Sequence, residues 1–442
     1  MSRPIVAIVG RPNVGKSTLF NYIAGKKISI VDDTPGVTRD RIYAEAEWRN
    51  RKFSMIDTGG IEPFSEDEIM IQMRRQAEIA IDTADVIVFM VDIKTGVTAN
   101  DKEVSIILKK SRKPVIIAIN KADRLGGMPD DAYEFYNLGF ENLACISSIN
   151  ALGIGDLLDM IYDNFPKENS DDNDEDVIKV AIIGKPNVGK SSLVNKICGE
   201  DRVIVSDIPG TTRDAIDTYV KKGENSFVFI DTAGIRKRSK IKETLDRYST
   251  VRSWAAIERC DVCLIMIDAL EGVTEQDTKI AGYAHEEGKA CIIVVNKWDA
   301  YEKETGTFEK YKKEVQEALK FIDYAPVIFI SAKTGQRVND LYETIVYVAN
   351  QASIRLGTGM LNDALNEALA IHQPPSDKGR QLKIYYITQV GVKPPTFVLF
   401  MNRKDLMHFS YERYIENNFR RSFGFVGTPI KFIMREKEKV KK

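Results

Sequence analysis

The chain has 442 residues, of which 43% are hydrophobic and 29% charged, a composition typical of globular proteins with about three domains. No apolar run reaches the ~18 residues that a membrane-spanning helix needs, and the start at Met1 runs directly into an apolar segment, which leaves no room for a secretory signal. The five cysteines are an odd number, which argues against a disulfide framework and predicts a reducing, cytoplasmic environment.

A phosphate-binding loop follows the first predicted strand. Residues 5–9 form an apolar β-like run, and residues 10–17 read Gly-Arg-Pro-Asn-Val-Gly-Lys-Ser, which fits the pattern G-x-x-x-x-G-K-[ST]. Such a loop presents backbone N–H groups and a helix N-terminus to phosphates. We expect Lys16 to reach the β- and γ-phosphates of a nucleoside triphosphate and Ser17 to bind Mg²⁺.

An Asp-x-x-Gly motif follows the next apolar run. Asp57 comes after residues 52–56, at the carboxyl end of a predicted strand, where parallel α/β sheets bind ligands. We expect Asp57 to hold Mg²⁺ through water and Gly60 to offer its N–H to the γ-phosphate. Both contacts would be lost when that phosphate leaves, which would release the segment behind them.

An Asn-Lys-x-Asp motif identifies the base. Asn120 to Asp123 follow the buried run 115–119. The carboxylate of Asp123 can accept two hydrogen bonds from guanine, and adenine offers no such pair. The stem of Lys121 would cover the base, so the nucleotide is predicted to be GTP.

The same series of motifs recurs further along the chain. A second loop, residues 184–191, lies 174 positions after the first and follows the apolar run 180–183. The Asp231 motif is also 174 positions from its counterpart, whereas the Asn296 motif is displaced by 176. The growing offset places insertions between motifs, where loops tolerate them. The chain therefore contains a duplicated domain of about 160 residues and should bind two nucleotides.

Charge divides the rest of the chain. Residues 167–176 are almost without apolar side chains and strongly acidic, which is typical of a solvated linker. From Ile354 to Lys442 there are 16 Lys and Arg against 8 Asp and Glu, so this end carries +8 and predicts a polyanionic partner. The segments after the two Asp-x-x-Gly motifs have opposite charge: residues 236–242 are basic and residues 62–68 acidic, which favours different partners.

The C-terminal segment has its own pattern of elements. Helical spacing at 358–371 is followed by β-like runs at 382–390 and 396–401, a helix at about 411–421 and a strand at 429–434. Gly424-Phe-Val-Gly427 fits G-x-x-G but is interpreted as a turn, because it falls between the last helix and the last strand. RNA contact would then rest on basic residues. These are Arg420, Arg421, Lys431 and those of the tail 437–442. The alternative is a protein-docking domain that packs on the GTPase domains through its other face, and the two roles are compatible.

A lone Cys-x-x-C at Cys260 and Cys263 is interpreted as the buried start of a strand. A metal or redox site is the weaker alternative, because no second Cys or His pair accompanies it.

The ordered motifs resemble those of translation-factor-class GTPases, and the Gly-x-Pro-Asn-Val-Gly-Lys-Ser loop resembles the Era-type branch. Two such domains followed by a small basic domain resemble the Der family, also called EngA, of bacterial double GTPases, over essentially the whole chain. The resemblance implies an α/β fold of two tandem P-loop GTPase domains, each a mostly parallel sheet with helices on both faces, plus a small α+β KH-like domain. The predicted boundaries are a first GTPase domain at 1–166, an acidic linker at 167–176, a second GTPase domain at 177–353 and a basic KH-like domain at 354–442.

The resemblance also implies roles for individual residues. Thr38 and Thr212 match the switch I ligand of Mg²⁺, and together with Lys16 and Lys190 they form the predicted catalytic set. Isoleucine stands after each Asp-x-x-Gly, where many GTPases have a glutamine that orients water. In the resembled family the loop asparagine, here Asn13 or its second-repeat counterpart, helps to seat a K⁺ ion against the phosphates, so hydrolysis is expected to be slow and K⁺-stimulated.

The fifth motif differs between the repeats. The first repeat has Ser147-Ser148-Ile149 where the second has the more usual Ser331-Ala332-Lys333. Backbone recognition of the guanine O6 could survive this change, but the departure puts its strength in the first repeat in doubt.

The GTP-binding residues predicted in the first repeat are Gly10, Arg11, Pro12, Asn13, Val14, Gly15, Lys16, Ser17, Thr18, Asp57, Thr58, Gly59, Gly60, Ile61, Asn120, Lys121, Ala122, Asp123, Ser147 and Ser148. Those predicted in the second repeat are Gly184, Lys185, Pro186, Asn187, Val188, Gly189, Lys190, Ser191, Ser192, Asp231, Thr232, Ala233, Gly234, Ile235, Asn296, Lys297, Trp298, Asp299, Ser331, Ala332 and Lys333. The predicted Mg²⁺ ligands are Ser17, Thr38, Asp57, Ser191, Thr212 and Asp231, and the predicted K⁺ ligands are Asn13 and Asn187.

The resulting expectation is a monomeric, cytoplasmic GTPase that assists assembly of the large ribosomal subunit and contacts rRNA. Two alternatives remain at this point. One is a partner GTPase of a tRNA-modification enzyme, although this sequence shows neither an extra cofactor domain nor a C-terminal catalytic cysteine. The other is a protein scaffold that GTP controls without any RNA contact.

Overall fold

A computed structural model gives the architecture. It describes residues 3–25, 43–58, 69–111, 113–123, 128–166, 177–200, 217–232, 246–377 and 380–436. These residues divide into two compact units, one drawn from 1–173 and 245–258, the other from 174–244 and 259–442. Within the described ranges, no helix is both long and apolar enough to cross a membrane.

The first unit is built on a six-stranded sheet. Its strands are β1 (Ile5–Val9), β2 (Tyr43–Trp48), β3 (Arg51–Asp57), β4 (Val86–Asp92), β5 (Val115–Asn120) and β6 (Leu143–Cys145). The spatial order is β2-β3-β1-β4-β5-β6, and every neighbouring pair is parallel except β2 with β3.

Helices cover both faces of this sheet. They are α1 (Lys16–Gly25), α2 (Ile69–Thr83), α3 (Ala99–Lys110) and α4 (Ile154–Asp163), with a 3₁₀ segment at Asp130–Leu138. Alternate residues of β1 point to opposite sides: Val6 packs with Leu19 of α1, whereas Ala7 packs with Val104 of α3. Because both faces of the sheet are buried, each strand has a continuous run of apolar residues, and these runs allowed the strands to be predicted from the sequence.

The second unit repeats this sheet. Its strands are β7 (Val177–Ile183), β8 (Thr218–Lys222), β9 (Asn225–Ile230), β10 (Val262–Asp268), β11 (Ala290–Asn296) and β12 (Val327–Phe329). The helices that follow these strands in the chain are α5 (Lys190–Glu200), α6 (Asp246–Arg259), α7 (Glu275–Glu286), α8 (Thr307–Ala318) and α9 (Val338–Ser353). A short 3₁₀ segment spans Lys320–Ile322. The order β8-β9-β7-β10-β11-β12 matches the first sheet strand for strand. The predicted duplication of a parallel α/β GTPase-type domain is therefore confirmed.

Most of α6 belongs to the first unit, although it follows the Asp231 motif in the chain. Ala255 lies in the core beside β1 and α2, and the carboxylate of Glu258 accepts a hydrogen bond of 3.1 Å from the hydroxyl of Ser54. Arg252 forms an ion pair with Asp82. A helix whose sequence position lies in the second repeat thus completes the core of the first.

The C-terminal part of the second unit has the predicted α-β-β-α-β order. Its elements are α10 (Thr358–Ile371), β13 (Ser376–Asp377), β14 (Arg380–Gln381), β15 (Ile384–Gly391), β16 (Thr396–Met401), α11 (Phe409–Phe423) and β17 (Lys431–Glu436), with a 3₁₀ turn at Lys404–Leu406. β16 pairs antiparallel with β15 and parallel with β17, and α10 and α11 pack on one face of the sheet. The β13–β14 hairpin was not predicted, because two residues per strand are too few to form a pattern.

Cys260 and Cys263 are buried at the start of β10, so the interpretation of this Cys-x-x-C as a buried strand start is confirmed.

The predicted turn at residues 424–427 is confirmed and has a packing role. The carbonyl of Gly427 accepts a hydrogen bond of 2.6 Å from the N–H of Cys291, and the N–H of Gly427 donates to the carbonyl of Tyr324 at 2.8 Å. Gly427 has φ of 78°, and a Cβ there would lie 2.5 Å from Val348. This G-x-x-G sequence therefore docks the C-terminal segment against the second repeat.

Arg420 does not have the free guanidinium that an RNA contact needs. It donates to the carbonyls of Phe425 and Thr428 at 2.8 and 2.9 Å, pairs with Glu416 at 2.7 Å and lies over the ring of Tyr324. The structure thus revises the sequence-based assignment of Arg420, which holds the turn that docks this segment.

Replacing Arg420 by Ala should destabilise the second unit by about 2 kcal/mol, because two carbonyls lose a charged donor. Urea unfolding of the full chain, followed by circular dichroism, measures this change. Arg421, the exposed next residue in α11, provides the matched control, and Arg421→Ala should change stability by no more than about 0.5 kcal/mol. Equal effects of the two variants would contradict the docking role.

Candidate functional site

Each phosphate-binding loop joins the central strand of its sheet to a helix. The loop at 10–17 connects β1 to α1, and the loop at 184–191 connects β7 to α5. The ammonium of Lys16 donates to the carbonyls of Gly10 and Arg11 at 2.6 and 2.8 Å, and the second repeat makes the same two bonds at 2.5 and 2.7 Å. Both lysines are thus held over the concave side of their loops.

Burial alters the acidity of the first of these lysines. Desolvation lowers the pKa of Lys16 to about 8, and the nearby carboxylate of Asp57 opposes part of that shift. A bound polyphosphate would favour the charged form in the same way as Asp57 does.

The first repeat brings together two oxygen ligands suitable for Mg²⁺. The hydroxyl of Ser17 donates to a carboxylate oxygen of Asp57 at 2.7 Å, although 40 residues separate them. Hydroxyl and carboxylate oxygens are the hard donors that Mg²⁺ accepts, so this pair fits the ion. In the second repeat, Asp231 follows the equivalent strand, and its N–H is bonded to Asp217 at 3.0 Å.

The side chain of Asn120 joins three motifs of the first repeat. Its amide nitrogen donates to the carbonyl of Val14 in the loop at 2.6 Å. Its amide oxygen accepts from the N–H of Ser148 at 2.9 Å. The Asn-Lys-x-Asp motif therefore fixes the phosphate-binding loop and the fifth motif at the same time.

The second repeat contains the same bridge. Asn296 donates to the carbonyl of Val188 at 2.8 Å and accepts from the N–H of Ala332 at 2.9 Å. Because the backbone N–H makes this bond in both repeats, the different side chains of the fifth motif leave its backbone placement unchanged. In the first repeat the hydroxyl of Ser148 donates a second bond to the same oxygen of Asn120 at 3.0 Å. Ile149, in place of Lys333, is 82% exposed.

Glycine is required where this asparagine meets the loop. Gly15 and Gly189 have φ of 102° and 101°, a region that residues with side chains rarely adopt. A Cβ would lie 2.3 Å from the amide nitrogen of Asn120 in one repeat and 2.2 Å from that of Asn296 in the other.

Two buried carboxylates that the sequence analysis missed hold the lysines of the Asn-Lys-x-Asp motifs. Asp92 ends β4 and accepts from the ammonium of Lys121 at 2.6 Å, and Asp268 ends β10 and accepts from Lys297 at 2.5 Å. The other oxygen of each carboxylate caps the following turn. The two aspartates lie 176 positions apart, the same offset as the motifs, and this offset could have identified them.

The base-reading carboxylates differ in their surroundings. Asp123 accepts from Ser147 at 2.8 Å, from Asn150 at 3.1 Å and from Lys94 at 3.3 Å, and these bonds, with that of Ser147 first, lower its pKa. In the described part of the second repeat, no side chain hydrogen bond to Asp299 occurs.

The second residue of each phosphate-binding loop, Arg11 or Lys185, directs its side chain to a neighbouring acidic residue. Arg11 lies 3.8 Å from Asp101 and bonds Thr95, and Lys185 lies 2.6 Å from Glu271. These side chains stabilise the loop, which leaves backbone groups for contact with a nucleotide. Asn13 and Asn187 are exposed and share φ of 63°.

Several predicted residues lie outside the described residues. They are Thr38, Gly59, Gly60, Ile61, Thr212, Ala233, Gly234 and Ile235, together with the linker 167–176, the charged segments 62–68 and 236–242 and the tail 437–442.

Comparison with known proteins gives matches across the chain. The family described as "50S ribosome-binding GTPase" matches residues 5–121 and 179–297, and "KH-domain-like of EngA bacterial GTPase enzymes, C-terminal" matches residues 355–435. Over 439 residues the chain is 70% identical to GTPase Der of Acetivibrio thermocellus and 67% identical to GTPase Der of Ruminiclostridium cellulolyticum. Each alignment covers 99% of this chain and 100% of the relative.

Replacing Gly189 by Ala should lower the affinity of the second site for GTP by about tenfold or more, because the Cβ would displace the amide of Asn296 from the loop. Titration with a fluorescent GTP analogue, in a Lys16→Ala background that weakens the first site, measures this affinity. Gly199→Ala is the matched control, since a Cβ at this position of α5 meets nothing within 4 Å. Retention of wild-type affinity by Gly189→Ala would show that the asparagine bridge is not needed for binding.

Proposed function

The chain belongs to the GTPase Der family, and we propose that it is a GTP-hydrolysing switch that acts in assembly of the large ribosomal subunit. One observation carries the proposal: the asparagine bridge between loop, base motif and fifth motif is built twice, with nearly the same distances. Two such bridged sites in one chain with a KH-like segment would make a switch that responds to two nucleotides and presents one binding domain.

The chemistry proposed for each site is positioning and charge stabilisation. Lys16 and Lys190 would exchange their bonds to loop carbonyls for bonds to the β- and γ-phosphates. Mg²⁺, when bound, would neutralise developing charge on the phosphates, and in the first repeat Ser17 and Asp57 are placed to hold it together with Thr38. The corresponding set in the second repeat is Ser191, Thr212 and Asp231.

We propose slow hydrolysis that K⁺ stimulates. Ile61 and Ile235 cannot orient water by hydrogen bonding, so each site needs another source of positive charge. Asn13 and Asn187 support the proposal, because both are exposed on the rim of their loops in the same left-handed conformation. Their amide oxygens are suitable ligands for a monovalent cation near the phosphates.

The proposed partners are rRNA and the large subunit or its precursor, and the proposed setting is the cytoplasm, where that particle is assembled. The family description "50S ribosome-binding GTPase" and the +8 charge from residue 354 onwards support this partner. A monomer is proposed for the free protein. The alternatives are a tRNA-modification partner or a scaffold without RNA contact, and particle binding separates the proposal from both.

Replacing Na⁺ by K⁺ at constant ionic strength should raise kcat for GTP roughly tenfold, by supplying the missing charge at the phosphates. Phosphate release measured in both salts tests this expectation. Asn187→Ala should abolish the response of the second site, whereas Asn225→Ala, an exposed asparagine at the start of β9, should retain it. Equal rates in Na⁺ and K⁺ for the wild type would contradict the role of the cation.

Sedimentation through sucrose should show the full chain bound to large-subunit precursors with a non-hydrolysable GTP analogue, with binding reduced at least about fivefold with GDP. Small ribosomal subunits serve as the particle control. Asp299→Asn and Asp123→Asn, which should favour xanthosine nucleotides, allow each site to be loaded separately and show which one controls binding. Absence of particle binding in every nucleotide state would refute the ribosomal role.

A further inference from the structure

One face of the C-terminal sheet lies opposite the helices and carries a pair of stacked, partly exposed aromatic rings. Phe397, Leu399 and Met401 of β16 lie in the core with α10 and α11, so the alternate residues of this strand point outward. Phe400 is one of these, and it stacks on Tyr386 of β15, with ring centroids 4.3 Å apart and planes within 13°. Tyr386 is 40% exposed.

Cations lie on the same outward face. In the register of β16 with β17, Phe400 is opposite Arg435, and Thr396 is opposite Lys431. Both cations are exposed, and no described carboxylate lies within ion-pair distance of either one. The row Tyr386–Phe400–Arg435 thus places a stacked ring pair beside a free guanidinium.

The centre of the face is apolar. Val398 is 4% exposed and lies opposite Ile433 of β17, which is 38% exposed, and opposite Thr388 of β15. Gly391 of β15 lies opposite the outward Thr396. None of these outward positions is an acid, so the charged groups on the face are the two cations, Lys431 and Arg435.

We propose that this sheet face binds single-stranded RNA, with an unpaired base stacked on Tyr386 or Phe400 and the phosphates held by Arg435 and Lys431. Exposed aromatic rings bind bases of any sequence through their π-faces, and neighbouring cations bind the backbone. A duplex keeps its bases stacked on one another and would not offer them to these rings. The inference rests on the proposed function, since it names the surface by which the chain would hold rRNA.

The packing of the rest of the segment supports this choice of surface. The turn at 424–427, which has the letters of an RNA clamp, is bonded to Cys291 and Tyr324 of the second repeat. Arg420 is committed to holding that turn. The face opposite the helices therefore remains for RNA.

The test uses the full chain and a fluorescein-labelled single-stranded RNA of twelve mixed nucleotides. Tyr386→Leu with Phe400→Leu should weaken binding about tenfold or more without changing its salt dependence, because the rings are lost and the charge is kept. Arg435→Ala should instead lower the slope of log affinity against log salt by about one. Phe409→Leu is the matched control, since Phe409 is 76% exposed at the start of α11, away from the sheet.

The outcomes separate this inference from the proposed function. Three results would overturn the inference. The double Leu variant could bind the oligonucleotide with wild-type affinity, or it could lose affinity for a duplex RNA by the same factor as for the single strand. The wild type could also bind an acidic peptide more tightly than the oligonucleotide. If the wild type still binds the ribosomal particle when one of these results is obtained, the ribosomal role is retained. Ring-dependent oligonucleotide binding without particle binding supports the surface and removes the ribosomal role. Unchanged urea unfolding, followed by circular dichroism, shows that the C-terminal segment of the variants is folded.

Discussion

The asparagine of the Asn-Lys-x-Asp motif is the contact on which each nucleotide site depends. One primary amide satisfies a carbonyl of the phosphate loop and an N–H of the fifth motif, and it is buried in both repeats. These groups belong to segments more than 100 residues apart in the chain, so the bridge fixes the phosphate-binding loop relative to the fifth motif. The bond also explains the second glycine of each loop, because any Cβ there would occupy the position of the amide.

The lysine that follows this asparagine in each motif has a constrained backbone conformation. Lys121 and Lys297 adopt φ of 66° and 62°, a left-handed conformation that costs a residue with a side chain on the order of 1 kcal/mol. Each is held there by a buried aspartate at the end of the neighbouring strand. Backbone strain of this kind persists only where the surrounding contacts fix it, and here they fix a lysine stem beside the predicted position of the base.

Duplication has preserved these constraints and changed what lies around them. In the first repeat, Ser147 and Asn150 bond the carboxylate of Asp123, the predicted base ligand, whereas the described residues of the second repeat make no side-chain bond to Asp299. Both carboxylates are exposed. The two repeats therefore differ in the bonds made by the carboxylate that the sequence analysis assigns to the base.

The sequence by itself determined the duplication, the order of the motifs, the strands that carry them and the α-β-β-α-β order of the C-terminal segment. Those features depend on local patterns: apolar runs buried on both faces, glycines at fixed spacing and helical periodicity. Asp92 and Asp268 show the limit of such patterns: in the sequence only their shared offset of 176 positions marks them, and their partner becomes visible only when folding brings Lys121 within 2.6 Å of Asp92. Tertiary structure alone decided that α6 completes the core of the first unit, that Arg420 stabilises a turn and that Tyr386 stacks on Phe400. Each of these features depends on contacts between residues far apart in the chain. Such contacts are set by the packing of whole helices and strands, so no local sequence pattern predicts them.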